Sequence, residues 1–306
     1  MPQPSSRPGL RYGAAALSLG MIALWGSENL FWTVPQEPLK LIEWGVTWAA
    51  YSLVAAAALS VLLWAGIGGW RAAFLGGAVL GFGIEGVIVD TMYDAFPAQI
   101  VWTPLAWHGV VTGLLVFALP RHLARGHVAV HLIGLLALGL LGAIWGLYWP
   151  NERPVMPGYE VALPYLFGLA LPVVAAHVAL DRLGPLDRPL PLILWAAPVA
   201  LLILWLVRGV LTGSVVVLAC PAMILTTAWI LRRLGRSGEP VSFGPAAPLW
   251  RHGLFLLMPL TVAMLVVPGW QVFGPVAANV PVALVTGAVG LGLWLWLLWQ
   301  AARAPR

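Results

Sequence analysis

The stretch VAVHLIGLLALGLLGAIWGLYW, residues 128–149, decides the fold class because it contains no Asp, Glu, Lys or Arg. An α-helix of this length crosses a hydrocarbon core about 30 Å thick. The whole chain has the same character, since 61% of its 306 residues are hydrophobic and 9% are charged. In lipid, only helices and closed barrels satisfy their backbone groups, and these runs lack the alternation of barrel strands. The sequence therefore predicts an all-α, polytopic integral membrane bundle.

The apolar runs between charges and Pro or Gly breaks predict about ten transmembrane helices in one membrane domain, 1–306. Their connections are too short for a soluble catalytic or ATP-binding domain, and no Walker A loop or dinucleotide fingerprint is present. The lone Cys220 excludes an internal disulfide. The predicted spans are 12–34, 41–66, 71–93, 102–120, 128–149, 161–181, 190–207, 211–231, 251–272 and 279–300.

The basic residues predict the orientation. With the N-terminus in the cytoplasm, thirteen of the 16 Lys and Arg fall at inner ends or loops, and only Lys40, Arg153 and Arg208 fall outside. This asymmetry obeys the positive-inside rule and places both termini inside a bacterial-type inner membrane. It also accounts for the net charge of +5 without a nucleic-acid partner, so the expected partner is the lipid bilayer. The oligomeric state is left open.

Acidic residues sort in the opposite direction, although they contribute little to topology. Glu28, Glu85 and His108 are predicted at a similar depth, roughly 10 Å below the outer surface, on helices one, three and four. An ionisable residue inside a span usually faces the bundle interior or a wet cavity. The predicted outer acids are Glu28, Glu37, Glu43, Glu85, Asp90, Asp94, Glu152 and Glu160.

From these positions we predict a site for a substrate or a proton, formed by Glu28, Asn29, Glu85, Asp90 and His108. Carboxylates held near lipid suit proton transfer, and carboxylates with Trp and Tyr faces suit recognition of a cation or amine. A purely structural pairing of the two glutamates with the histidine is the alternative reading. The remaining outer acids and the Trp residues around them are expected to be interfacial.

No cofactor and no metal are predicted. Two carboxylates and one imidazole could ligate a metal, but no His–x₃–His or Glu–x₂–His pairing supports such a site. His131 and His177 are predicted at a common depth near the inner surface, where facing histidines could ligate a haem. Such a pair is more often interfacial or bonded to the backbone. His122, His127 and His252 are expected to be plain interfacial residues.

Small residues and prolines predict how the helices pack. Gly77–x₃–Gly81 and Gly142–x₃–Gly146 should allow helix backbones to approach closely. Prolines inside spans six to nine should kink several of these helices. They are Pro172, Pro198, Pro221 and Pro259.

Short stretches resemble carriers of the drug/metabolite transporter superfamily. ALWGSEN, residues 23–29, is similar to the tryptophan–glycine–small–Asn motif of that superfamily's first helix, with Glu28 as an insertion. About ten helices with both termini inside are also similar to its topology over the whole chain. Three further stretches resemble its third-to-fourth helix passage, its fifth helix and its ninth helix: 93–104, 133–142 and 258–260.

The resemblance implies two inverted five-helix halves, 12–149 and 161–300, around a central substrate cavity. The chain departs from the superfamily at Glu28 and Glu85, where the family has apolar residues, and in its longer inner loop 232–250. These departures put acidic chemistry inside the expected cavity.

The leading prediction is an inner-membrane carrier of a small solute, a transporter whose site opens outward between helices one to four. The alternative is an intramembrane enzyme acting on an isoprenoid, a carotenoid or another lipid, with Glu85 as general acid. Glu85–Gly86, Tyr93 and Leu105–Ala106–Trp107 resemble a Glu-Gly, Tyr and Leu-Ala-Trp series in membrane carotenoid-processing enzymes. A third alternative is a non-catalytic assembly subunit.

Overall fold

The structure is a computed structural model and describes residues 7–34, 40–151, 157–274 and 276–304. Within these ranges the chain forms ten long helices and no named strand; Leu186 and Val241 form an isolated bridge. The helices are α1 (Pro8–Leu24, continued by Trp25–Asn29), α2 (Leu41–Ala65), α3 (Gly69–Ile88), α4 (Ala98–Leu123), α5 (Val128–Asn151), α6 (Tyr159–Leu183), α7 (Pro191–Thr212), α8 (Val215–Leu234), α9 (Leu249–Phe273) and α10 (Asn279–Arg303).

The structure confirms the predicted multi-pass helical bundle. In the described part of the chain, nine helices, α2 to α10, are long and apolar enough to cross a membrane, and α1 packs against α2 and α6. Several helix ends differ from the predicted spans, and two of these differences bear on the site. Helix α3 ends at Ile88 rather than 93, because Asp90 has a positive φ of 71°. Helix α7 continues through Arg208 to Thr212, because the Arg208 guanidinium binds a partner at the end of α3.

The basic residues that were predicted on one side lie at one end of the bundle, which we call the basic end. Arg188 donates to the carbonyls of Leu63 and Trp64 at the end of α2, and the Arg236 amide donates to the Gly66 carbonyl. At the same end, the α1 residue Arg11 contacts the loop after α6. The predicted outer residues Glu37, Glu152 and Arg153 lie outside the described residues.

Helices α2, α3 and α4 form the interior, and α7 and α10 form the periphery. In the most apolar window of α3, 78% of the residues are buried, against 17% in α7 and 22% in α10. All of these windows are strongly apolar, so hydrophobicity does not separate core helices from peripheral ones in lipid. The polar residues of the interior helices therefore sit among protein rather than lipid.

The predicted glycine contacts are present. A Cβ added to Gly77 would lie 2.6 Å from the His108 carbonyl oxygen, and one on Gly81 would lie 2.7 Å from the His108 Cβ. On the other side of the bundle, a Cβ on Gly142 would lie 2.8 Å from Val262. Glycine therefore allows α3 to pack directly on α4 at the level of His108.

Helices of the second half are interrupted near their prolines. The α6 helix breaks at Leu169, just before Pro172, where the proline ring would clash with the carbonyl four residues earlier. Helix α9 changes to a 3₁₀ turn at Leu254–Leu256, ahead of Pro259. These breaks agree with the predicted kinks.

Helices that are five apart in the chain contact each other. The contacting pairs are α1 with α6, α2 with α7, α3 with α8 and α5 with α10. The α4–α10 contact also has a counterpart in the contact of α9 with α5. The first five helices therefore pack against the last five along several helix pairs of the described chain.

Candidate functional site

Three helices change their winding where the predicted site residues lie. In α1, the Leu30 amide donates to the Trp25 carbonyl, and in α3 the Val89 amide donates to the Ile84 carbonyl. Both are bonds from residue i+5 to residue i, and α4 keeps this wide winding from Val101 to Ala118. Such π-helical turns insert an extra residue and are frequent at functional sites. They carry Ser27 and Glu28, then Glu85, and then His108.

Glu85 and His108 form a buried pair between α3 and α4. His108 Nε2 lies 2.7 Å from Glu85 Oε1, with the two side chains 1% and 10% exposed. The second oxygen of Glu85 accepts a hydrogen bond from the Thr91 hydroxyl. A carboxylate–imidazole contact of this length is a hydrogen bond, which is charge-assisted when either group is ionised. The structure therefore brings together two of the five predicted site residues.

The pair continues through hydroxyl groups. The Ser27 hydroxyl on α1 lies 3.2 Å from His108 Nδ1 and 3.0 Å from the Thr112 hydroxyl. Thr112 lies one turn along α4 and also donates to the Trp107 carbonyl. The result is a continuous carboxylate–imidazole–hydroxyl relay across α3, α4 and α1.

Glu28 lies next to this relay and faces α2. Its Oε1 accepts a 2.6 Å hydrogen bond from the Tyr51 hydroxyl, which also lies close to the Ser27 hydroxyl. Glu85 and His108 are close enough to Glu28 to interact with it electrostatically. We call Ser27, Glu28, Glu85, His108 and Thr112 the outer cluster.

Asn29 and Asp90 lie beside the outer cluster and make other contacts. The Asn29 amide donates to the Tyr165 carbonyl at 2.8 Å, and the Tyr165 hydroxyl donates to the Glu28 carbonyl at 2.6 Å. These bonds fasten α1 to α6. Asp90 pairs with Arg208 of α7 in a half-exposed ion pair. The prediction that Asp90 lies within the third span, 71–93, is wrong, because α3 has already ended at Ile88.

Aromatic rings pack around the outer cluster. Trp107 packs against Trp102 and Trp145, with ring centroids 5.9 Å and 4.6 Å apart. Trp149, predicted to be interfacial, is 3% exposed and lies against Trp32 with centroids 4.1 Å apart. Its burial follows from the close approach of α5 to the end of α1, which the sequence pattern does not reveal.

The charges of the outer cluster do not balance. Glu28 and Glu85 are two carboxylates facing one imidazole, so full ionisation leaves a net negative charge in the membrane interior. A buried uncompensated charge is strongly unfavourable, and a proton or a cationic ligand would neutralise it. The cluster can therefore bind and release a proton or a cation.

A second polar cluster lies at the basic end, where sequence reasoning expected surface residues. Asp181 on α6 pairs with Arg121 of α4 and lies 3.0 Å from Nε2 of His252. His252 is 2% exposed, so its expected interfacial position is wrong. The Arg121 and His252 side chains turn inward because both bind the buried carboxylate of Asp181. Asp181, an acid at the inner end of a predicted span, was the sequence feature that could have indicated this second cluster.

His131 and His177, the two histidines considered as haem ligands, both lie at this second cluster. The rings of His131 and His177 both pack on Phe255, with centroids 5.7 Å and 4.8 Å away. A phenyl ring thus occupies the space against both imidazoles. Over the described part of the chain, no group of three or more His, Cys, Asp or Glu side chains has the arrangement of a metal site.

Sequence reasoning missed the partners that complete the outer cluster. Four hydroxyl groups bind the outer cluster, three at its side chains and one at the Glu28 carbonyl, and each belongs to an ordinary residue of a predicted apolar span. They are those of Tyr51, Thr91, Thr112 and Tyr165. Ser27 alone carried a signal, since it adjoins Glu28 in the sequence. Known proteins add nothing to this geometry: no protein-family model matches the chain, and neither a curated protein nor a solved structure matches it significantly.

Proposed function

We propose that this protein is a proton-coupled membrane carrier of a small cationic solute. The observation that carries the proposal is the outer cluster, in which Glu85 binds the one imidazole and a second carboxylate, Glu28, lies close by. The two acids differ in their hydrogen bonding and exposure. Glu85 is bonded on both oxygens within the protein, whereas Glu28 is partly exposed. We therefore assign the coupling proton to Glu85–His108 and the solute to Glu28.

The surroundings of Glu28 support a cationic solute. Tyr51 binds the carboxylate, and Tyr165 adjoins it with Trp44 packed 5.8 Å away between ring centroids. A carboxylate beside aromatic faces is the arrangement that recognises ammonium groups through charge and cation–π attraction. Protonation of the Glu85–His108 pair removes negative charge near Glu28 and so weakens its hold on a cation. The two ligands therefore compete, which is the requirement for exchange of one against the other.

The packing of the helices supports a carrier. Contacts between helices five apart are expected when two halves rock against each other around a central site. The outer cluster lies on helices α1 to α4, and its neighbour Tyr165 lies on α6 beside the break at Leu169. A broken helix next to the site offers a place where one half can move.

The experiment is uptake into proteoliposomes under an imposed pH gradient. Permanent cations, namely choline, tetraethylammonium and ethidium, serve as probes because they cannot cross lipid as neutral species. The wild-type protein is expected to accumulate at least one of them inside acidic vesicles and to release protons as it does so. Glu85→Gln should lower this uptake about 100-fold, because Gln keeps the hydrogen bonding but cannot ionise.

The matched control is Glu43→Gln, which removes an exposed carboxylate at the start of α2. It should leave uptake unchanged. Equal pH-driven uptake by wild-type and Glu85→Gln proteins would refute proton coupling at Glu85. The absence of any probe or proton movement in wild-type vesicles would refute the carrier.

A second candidate is an intramembrane enzyme acting on a lipid, and one observation favours it. Ser27, His108 and Glu85 follow the order hydroxyl, imidazole and carboxylate, as nucleophile, base and orienting acid do in serine hydrolases. An apolar cavity of about 350 Å³, lined by residues that include Val87 and Cys220, would admit a lipid chain near α3. Covalent labelling of Ser27 by a fluorophosphonate in the folded protein, with no cation uptake, would favour the enzyme.

A further inference from the structure

The second polar cluster consists of five basic side chains and one acid. Arg121, His131, His177, Arg251 and His252 are each at most 7% exposed, and they surround Asp181 and Phe255. We call these five residues the basic cluster. They come from α4, α5, α6 and α9, so the cluster joins parts of both halves of the chain.

The hydrogen bonds of the basic cluster are incomplete. In the part of the chain that the structure describes, six of its buried nitrogen atoms have no partner: Arg121 Nε, both ring nitrogens of His131, Arg251 Nε and Nη1, and His252 Nδ1. Leaving a buried donor unpaired costs about 1–3 kcal/mol, and more when the group is charged. Three of these atoms are arginine N–H donors, and neutral His131 supplies one more, so the open donors in one place point to a missing acceptor.

The charges of the basic cluster are also incomplete. Arg121 and Arg251 carry two positive charges, and Asp181 supplies one negative charge. The other acids described at the basic end, Asp187 and Glu239, pair with Arg11 and Arg236 instead. The missing acceptor is therefore an anion.

A cavity reaches the edge of the basic cluster at Arg121, the one cluster residue among those that line it. It has a volume of about 520 Å³ and is lined by Arg121 together with His122 and Arg125. Its other walls are largely apolar and include Trp70 and Phe117. The positive-inside rule assigns the basic end to the inner leaflet, and basic pockets between helices on that side bind anionic head groups.

We propose that the basic cluster is a binding site for a phosphate group. The open Nε and Nη1 of Arg251 and the open Nε of Arg121 can donate to phosphate oxygens, and the His131 N–H supplies a further donor. The phosphate group belongs either to an anionic phospholipid or to a soluble phosphate ester. This site is separate from the outer cluster and does not depend on what the protein transports.

The experiment measures thermal unfolding and bound lipid of the purified full-length protein. One arm adds inorganic phosphate or glycerol 3-phosphate, with sodium chloride at equal ionic strength as the reference. The other arm compares nanodiscs of phosphatidylcholine with nanodiscs containing phosphatidylglycerol, and native mass spectrometry detects lipid that stays bound. Stabilisation in either arm supports the site, and the arm that responds identifies the source of the phosphate.

Arg251→Gln is expected to weaken the responding ligand at least about tenfold, since it removes a charged donor. Arg236→Gln is the matched control, because it makes the same change on a side chain that is 84% exposed.

His131→Phe is a second variant, which tests the proposal if Arg251→Gln fails to fold. The phenyl ring removes two nitrogens that have no partner, so it should leave the fold intact while weakening the ligand. Absence of stabilisation in both arms, or an equal response of wild type and folded variants, would overturn the proposal.

Discussion

The outer cluster and the basic cluster are both buried in the same bundle, but they differ in how their hydrogen bonds are closed. In the outer cluster, the side chains of Ser27, Glu85, His108 and Thr112 all bind one another or a neighbouring hydroxyl. The basic cluster leaves six nitrogen atoms open among the described residues. A closed network is suited to hold and pass a proton, whereas an open network is complete only with a ligand.

The two clusters also differ in the helices that they join. The outer cluster joins α1 with α4, and the basic cluster includes α6 and α9, which are the helices five later in the chain. Their charges are opposite: the outer cluster has a surplus carboxylate and the basic cluster a surplus guanidinium. The two clusters thus carry opposite charge at opposite ends of the bundle.

The largest expected effect concerns which cluster faces the cytoplasm. On a Cys220→Ala background, a cysteine at His122 should be labelled only from the cytoplasm, and a cysteine at Ala95 only from outside. Both positions are exposed, at the basic end and the opposite end of the bundle. Positive-inside sorting of the Arg residues is the reason. Labelling of position 122 by an impermeant maleimide on intact cells would mean that the basic cluster faces outside and the outer cluster faces the cytoplasm.

Next in size is the effect of removing the one acid of the basic cluster. Asp181→Asn leaves the Arg121 charge buried without its partner, which should destabilise the protein by about 3–5 kcal/mol. Thermal unfolding in detergent measures this. Asp187→Asn, which removes a half-exposed acid 4.0 Å from Arg11, should cost no more than about 1 kcal/mol. Equal unfolding temperatures for the two variants would mean that Asp181 does not hold the cluster together.

A smaller effect is expected where α3 approaches α4 beneath the outer cluster. In Gly81→Ala the new methyl group would lie 2.7 Å from both the His108 Cβ and the Pro104 Cα, so the helices must separate. Overpacking of this kind destabilises by about 1–3 kcal/mol and should move His108 away from Glu85. Gly45→Ala in α2 meets no atom within 4 Å and should be neutral or slightly stabilising. Unfolding temperature and cation uptake together test the close approach, which is absent if Gly81→Ala behaves like Gly45→Ala.

The smallest effect should come from Ser27→Ala, which shortens the relay at its hydroxyl end. The change removes one hydrogen bond each to His108 and Thr112, worth about 1 kcal/mol apiece. In a carrier the rate of uptake should fall only several-fold, whereas in an enzyme with Ser27 as nucleophile all activity should disappear. Ser18→Ala, on the same helix, is the control for loss of a hydroxyl.

Several features of the outer cluster could be predicted from the sequence. Glu28, Glu85 and His108 were placed at one depth because helical rise converts residue number into distance along the membrane normal. The same reasoning brought His131 and His177 together. It could not tell that Asp90 leaves this group, because the end of α3 depends on a backbone turn that binds Asp90 to Arg208.

The sequence by itself determined the helical membrane architecture, because hydropathy adds up over about 20 residues and needs no knowledge of neighbours. The tertiary structure alone decided which polar groups meet. The rotation of each helix about its axis selects Tyr51 and Ser27 as partners of the outer cluster, and it turns Arg121 and His252 inward onto Asp181. Lipid is as apolar as a leucine side chain, so an apolar pattern cannot fix that rotation. The contacts of glycines and buried polar groups fix it instead.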